Sequence, residues 1–493
     1  MKRLSLFALA LASLCSAHVT YKVRLSTGSG KVVELSSEQY VAGVLAGESS
    51  TFRGEESLKA MAIAARTYAA RLRGRHASDG YDFCDATHCQ RFELEGSATT
   101  RFMRAAAATA GELLWFKGQL AFTPYTRDCG GQTESVQYVW PDVQAPYLSS
   151  QADPFCARAG SRTWSWCAPL QQIAAALHAS NLNAPNHLSR IVAAETTPSR
   201  RILRLQLIGD GAPVLLSASS FRFALGRALG WNTLRSERYA IDNRGGLICF
   251  HGTGEGHGVG LCQTGADEMA LEGHTYREIL AFYYPGAVIA QTAEGFAWTR
   301  MSGETVTVFS TNPDRDHDVL RRAEALNKTL AARLHWQTPQ VTIRVYPDVA
   351  AFRNATGEPG WVAAHASRLT IDLQPSTLLE GRAILTQTLR HELLHIYIER
   401  QAAPGLPLWF REGLVEYLAA DESSPPHPST ALDADLAQRR DRSRAEAAYA
   451  AARARVLALM NRYGEATVFA WLARGLPDEV KNSTASSPPA NNK

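Results

Sequence analysis

Beyond its first twenty residues the chain has no apolar run long enough to cross a bilayer as a helix, so no transmembrane segment is expected in the mature protein. It has no internal repeat, which removes solenoid and propeller arrays from consideration. Charge of one sign is also missing: 51 Lys and Arg face 47 Asp and Glu, a net +4 over 493 residues. So small a bias argues neither for nor against an anionic polymer as ligand. Cysteine is scarce, with eight residues in all.

What is present begins at the N-terminus. Met1-Lys2-Arg3, the apolar run Leu4 to Leu14 and the small residues Ser16-Ala17 have the order of a secretory signal peptide cut after Ala17. Cys15 raises the question of a lipid anchor, but Leu14 is a poor residue before a lipidated cysteine. Export to the periplasm or the cell envelope is therefore expected, and with it no nucleic-acid partner. An oxidising compartment permits disulfides among the seven remaining cysteines, whose odd number leaves at least one thiol for another task. Of the five besides Cys84 and Cys89, Cys156 with Cys167, closing a Trp-containing loop, and Cys249 with Cys262 are the candidate pairs, which would leave Cys129 over; sequence alone does not prove connectivity.

Near the other end the chain reads His391-Glu392-Leu393-Leu394-His395, inside an apolar helical pattern of Leu385, Leu389 and Ile396. Positions i and i+4 share a helix face, so both imidazoles can hold one zinc ion while Glu392, turned off that face, serves as general base. Pro404, Gly405 and Pro407 end this helix, and a second helix from about Leu408 can return Glu412 as third ligand. Glu416, one turn on, falls where a carboxylate orients a ligand imidazole. The competing reading is a buried structural helix pair. This stretch resembles the gluzincin-like peptidases of the membrane-alanyl-peptidase-like superfamily. That likeness implies a mainly α zincin-like domain with a small β-sheet, a catalytic zinc and peptide hydrolysis.

The N-terminal two thirds alternates short strands and helices, a mixed α+β lobe with a large β component. Tyr21–Leu25 and Lys31–Leu35 read as a hairpin, and Ser36-Ser37-Glu38-Gln39 as a cap before the helical run Tyr40 to Glu48. Ile202–Leu207 and Val214–Ser217 read as strands about a Gly209-Asp210-Gly211 turn. Five blocks follow in order: Tyr40 to Glu48, Leu58 to Tyr68, Cys84 to Gln90, Cys129 to Glu134 and Gly254 to Gln263, with a closing block Ile279 to Gly286. In that order they resemble the stage II sporulation protein D / amidase-enhancer (SpoIID/LytB) family. The resemblance implies a lytic transglycosylase acting on peptidoglycan glycan strands stripped of peptide stems, with a cell-wall amidase as a further partner.

On that resemblance Glu48 takes the catalytic position. One carboxylic acid can protonate the glycosidic oxygen and then accept the muramoyl 6-hydroxyl proton as a 1,6-anhydro ring closes. The family commonly places a Met-Pro-like pair next, where this chain has Ser49-Ser50, so the pocket wall is in question. Arg66, Tyr68 and Tyr125 stand as groove residues or as packing; Gly130 and Gly131 as close-approach positions or tight turns; His257 as substrate contact or structural hydrogen-bonder. His76, Cys84, His88 and Cys89 can form a tetrahedral structural zinc site, as some relatives carry near the catalytic Glu; a Cys84–Cys89 disulfide and free thiols are the competitors.

The expected organisation is a signal peptide (1–17), a SpoIID/LytB-like domain (18–291), a gluzincin-like zinc peptidase domain (303–475) and a disordered tail (480–493). Ala431 to Tyr463 should be helical, Arg321 to Leu334 an amphipathic helix, Val341 to Tyr346 a strand and Arg368 to Leu373 an edge strand. The functional expectation is a peptidoglycan-remodelling enzyme that cuts glycan and peptide bonds. The alternatives are a non-catalytic amidase-enhancing or glycan-binding N-terminal lobe that positions the peptidase, or a peptidase for exported proteins merely anchored to wall glycan.

Overall fold

A computed structural model describes residues 19–26, 30–95, 100–419, 436 and 441–481. The expected leader with Cys15, residues 27–29 within the expected hairpin, most of 431–440 at the start of the expected Ala431 to Tyr463 helix, and the expected tail from Asn482 lie outside the described residues. The chain divides into two compact units, Met1–Gln291 and Thr292–Lys493. Among the described residues no helix is long and apolar enough to cross a membrane.

In the first unit, Thr20–Arg24 pairs antiparallel with Val32–Ser36, and Phe83–Cys84 adds in parallel to the first of these. Ser36 then caps the helix Ser37–Ser49: its side chain accepts from the Gln39 N–H while Gln39 bonds back to the Ser36 N–H, the expected capping box. Tyr40 through Gly47 are all buried, because the helix runs between a core built on Leu58, Met61 and Leu261 and a smaller one of Tyr21, Val23, Phe83 and Phe92. Two glycines make that possible. A Cβ on Gly43 would lie 2.1 Å from the Phe92 ring and one on Gly47 2.4 Å from the Arg91 carbonyl oxygen, so the Arg91-Phe92 segment can lie directly on the helix.

The strands Ile202–Gly209 and Val214–Ser217 pair antiparallel as expected, with Leu188–Thr196 on the other side. A second three-stranded sheet orders Tyr239–Arg244, Leu247–Thr253 and Thr163–Pro169. Its register corrects the disulfide expectation: Cys249 stands directly opposite Cys167, their Cα atoms 4.1 Å apart, and these two are bonded. The pairs Cys156–Cys167 and Cys249–Cys262 are not formed. Cys156 and Cys262 join Cys129 in a buried group instead.

In the second unit a five-stranded sheet runs Thr299–Ser302, Val306–Ser310, Val341–Val345, Thr370–Leu373, Ala364–Ser367. Thr370–Leu373, inside the stretch read as an edge strand, is paired on both sides; the edge is Ala364–Ser367, which folds back on it antiparallel. The amphipathic helix begins earlier than its apolar stripe, at Pro313, where proline lacks only an N–H the first turn could not use. Leu385–Gln401 and Leu408–Ala419 follow the sheet, then Arg442–Tyr463 and Glu465–Arg474, and Leu389, Leu393, Phe410, Leu414 and Val456 share one core with Ile343 and Ile371.

Candidate functional sites

Glu48 is the penultimate residue of its helix, partly buried, and its surroundings come from three chain segments. The Arg91 N–H donates to Oε1 at 2.8 Å, and the Gln263 side chain bonds the same carboxyl group. Arg127 donates through Nη1 to the Glu48 carbonyl oxygen at 3.3 Å and to Gln263 at 3.4 Å, and through Nη2 to Thr51 Oγ1 at 3.0 Å. Burial raises the Glu48 pKa, against the lowering effect of the Arg91 amide and the nearby guanidinium groups. Tyr125 lies beside it: its hydroxyl accepts from Gln90 Nε2 at 3.0 Å, and burial followed by the charge of Glu48 pushes its own pKa up. Gln90 also accepts from the Tyr40 hydroxyl at 3.1 Å, so its side-chain amide bridges the two tyrosines.

Directly before Gln90 in the chain lies the His/Cys group. Cys84 and Cys89 place Sγ atoms 3.4 Å apart, His76 Nε2 lies 3.3 Å from Cys89 Sγ, and His88 Nδ1 lies 3.9 and 3.8 Å from the two sulfurs. A disulfide needs about 2.05 Å. Zinc bonds of about 2.3 Å to sulfur and 2.0–2.1 Å to nitrogen require tetrahedron edges of roughly 3.4–3.8 Å, which these four donors approach.

Other expected contacts are relocated. Arg66 is 2% exposed and donates to Glu38 Oε2 (2.5 Å), the Ala106 carbonyl (3.0 Å) and the Glu112 carbonyl (3.2 Å), so it is a strut between helices and not a groove residue. His257 packs its ring on Trp140, accepts from the Val259 N–H at 3.0 Å and bonds the Tyr125 backbone. Burial, then Arg201, pushes its pKa down to about 3, and the structural hydrogen-bonding alternative is the one its surroundings fit. Tyr68 is half-buried against Phe122 and bonds Arg75, which in turn donates to the His88 carbonyl. Gly130 and Gly131 both have positive φ and turn the chain between Asp128 and Gln132. Arg91, Arg127 and Gln263 were not singled out by sequence reasoning, although Gln263 closes one of the recognised blocks.

In the second unit the helix pair is built as its spacing requires. His391 and His395 bring Nε2 atoms to 3.1 Å, and His395 Nε2 lies 3.3 Å from Glu412 Oε2. For nitrogen and oxygen ligands at about 2.05 Å a zinc tetrahedron has edges of roughly 3.3 Å, so the donor set and spacing fit. His391 Nδ1 is 3.5 Å from Glu416 Oε1, the orienting position expected; burial and the charge of Glu412 push Glu416 up to about 7. These residues and Glu392 line a cavity of about 890 Å³, with a wall from the edge strand Ala364–Ser367 and from Arg368.

A family model described as Stage II sporulation protein matches residues 26–116. An uncharacterized protein of Brachyspira hyodysenteriae is 32% identical over 260 residues, covering 52% of this chain and 67% of its own. Stage II sporulation protein D of Bacillus subtilis is 27% identical over 286 residues, 54% of this chain and 77% of that one. The amidase enhancer of Bacillus subtilis is 25% identical over 296 residues, 50% of this chain and 40% of that one.

Proposed function

We propose that this chain, whose residues 26–116 match the Stage II sporulation protein family model, is an exported peptidoglycan-remodelling enzyme whose first unit cleaves glycan strands as a lytic transglycosylase. The observation that carries this reading is the Glu48 setting: a single carboxyl group with a raised pKa, held by one backbone amide and one side-chain amide. Protonated Glu48 gives its proton to the glycosidic oxygen as the bond from the anomeric carbon breaks. The resulting carboxylate then takes the 6-hydroxyl proton as that oxygen bonds the same carbon, so the acid is regenerated without water. Tyr125, beside the carboxylate, offers a ring and hydroxyl to the sugar. Zinc held by His76, Cys84, His88 and Cys89 would fix the loop whose next residues, Gln90 and Arg91, bond Tyr125 and Glu48. Mass spectrometry of peptide-free glycan strands should find 1,6-anhydromuramoyl ends with the wild type and none with Glu48→Gln. Cleavage that survives this substitution would sink the assignment.

For the second unit the reading is zinc-dependent peptide hydrolysis, supported by the spacing of His391, His395 and Glu412 within one cavity. His391, His395 and Glu412 would hold the ion, which when bound would polarise a scissile carbonyl and acidify a nearby water. Glu392 would take the proton of a water whose oxygen bonds the carbonyl carbon and pass it to the nitrogen as the C–N bond breaks, while Glu416 would orient His391. Muropeptide or casein cleavage lost in Glu392→Gln tests this, and the substrate that is cut separates wall peptide from exported protein as target.

A second reading follows from the relative called amidase enhancer: the first unit binds glycan and stimulates a cell-wall amidase without cutting. Under it, active zinc-replete protein leaves glycan strands intact yet accelerates an added amidase.

A further inference from the structure

Cys129, Asp153, Cys156 and Cys262 are each fully buried, and one ligand atom from each lies within 4.8 Å of all the others. Nothing in the glycan or peptide chemistry uses them. We propose that these four residues are a second sulfur-rich metal site of the first unit, a closed Cys3Asp site for zinc that locks together the segments surrounding Glu48.

The geometry is that of ligands converging on a point. Cys129 Sγ lies 3.2 Å from Asp153 Oδ2, near the roughly 3.5 Å edge of a mixed sulfur and oxygen tetrahedron around zinc. The ligands come from three places: the turn after the strand Tyr125–Thr126, the start of the helix Pro154–Arg158, and the N-cap of the helix Gln263–Leu271. Two of the ligands already accept hydrogen bonds. Cys262 Sγ accepts from the Cys129 N–H at 3.2 Å and the Gly265 N–H at 3.5 Å, and Asp153 accepts from the Cys156 N–H at 2.9 Å and the Tyr283 hydroxyl at 2.9 Å. Buried Arg201 donates to the Cys129 carbonyl at 2.8 Å, placing a cation beside a group that carries net negative charge with a divalent ion bound. Gly265 leaves the room: a Cβ there would stand 2.7 Å from Asp153 Oδ2 and 2.2 Å from the Tyr283 hydroxyl.

The consequence reaches Glu48 through chain neighbours. Arg127 precedes Cys129 by two residues and Gln263 follows Cys262 directly, and these two side chains contact Glu48 and each other. One cysteine group therefore leads to the Gln90-Arg91 side of Glu48 and the other to the Arg127-Gln263 side. Full burial makes the site structural, since it leaves no open position for substrate.

The test is zinc K-edge X-ray absorption with zinc quantification on the full chain purified without chelator, for wild type, Cys84→Ser/Cys89→Ser and Cys129→Ser/Cys262→Ser. The expected result is sulfur scattering at about 2.3 Å that persists in the first variant, at about three zinc-bound sulfurs per chain, and one zinc per chain fewer than wild type in the second. Should the second variant fold poorly, wild type alone decides. Five zinc-bound sulfurs per chain, or three if the His/Cys group is empty, support the site; two or none overturn it. A disulfide between any two of Cys129, Cys156 and Cys262, found by mass spectrometry of non-reduced peptides, overturns it as well.

Discussion

Glu48 and Arg66 are two buried or partly buried charged residues on neighbouring helices, and their surroundings make opposite demands. The Glu48 pKa is raised, so the folded state holds its proton to higher pH than the unfolded chain does. Below the ordinary value of 4.5 both states are protonated and nothing is lost. As pH rises through that value the unfolded chain ionises first, and stability falls until folded Glu48 ionises too. Glu48→Gln removes this loss, so its melting temperature relative to wild type should increase between pH 4 and pH 7 while glycan cleavage disappears. The alkaline limb of kcat/KM for glycan should lie above 4.5, since the protonated form is the acid. Arg66 demands its charge. Its guanidinium serves Glu38 and two buried carbonyls, so Arg66→Ala should cost about 3 kcal/mol by leaving buried acceptors unpaired, measured by urea unfolding. Its KM for glycan should stay near wild type, which a groove residue would not allow.

At the scale of elements, the helix Ser37–Ser49 separates what sequence can show from what it cannot. The capping box and the apolar run are local signals, and both were legible. Gly47 was legible only as a poor helix former, where replacement by alanine should gain about 1 kcal/mol. Its use lies in a contact with a segment more than forty residues away: the Arg91 carbonyl occupies the space of a Cβ. Gly47→Ala should therefore lower the melting temperature by several degrees and, by displacing the Arg91 N–H from Glu48, reduce glycan cleavage by about tenfold or more. The disulfide was illegible for a related reason. Cys167 meets Cys249 through the register of two strands 82 residues apart, and no local pattern sets that register. The His391-Glu392-x-x-His395 pair was readable because four residues of helix fix it, and Glu412 because prolines mark where the next helix starts. The strand Thr370–Leu373 was misjudged as an edge because its polar flanks suit an edge, whereas the strand that covers it, Ala364–Ser367, carries no apolar alternation strong enough to announce itself.

For the whole molecule, the deciding fact is that each core is assembled from one unit alone. The cluster that holds the His391 helix draws on residues from Met301 to Val480, and the clusters around Glu48 on residues from Tyr21 to Tyr284. The two proposed centres, supported in this way, should fail separately. Glu392→Gln should leave the rate of anhydromuramoyl end formation within twofold of wild type, and Glu48→Gln should do the same for peptide cleavage, with the double variant losing both and nothing further. A chelator is expected to act differently from either substitution. On the proposed reading it should remove peptide cleavage, because His391, His395 and Glu412 would lose their ion, and should also slow glycan cleavage through the His/Cys loop that presents Arg91 to Glu48. Zinc added back should restore both, whereas zinc added to Cys84→Ser/Cys89→Ser should restore peptide cleavage alone. Loss of both activities in either single Glu→Gln variant would contradict independent centres, and assays of both reactions on the same preparation decide it.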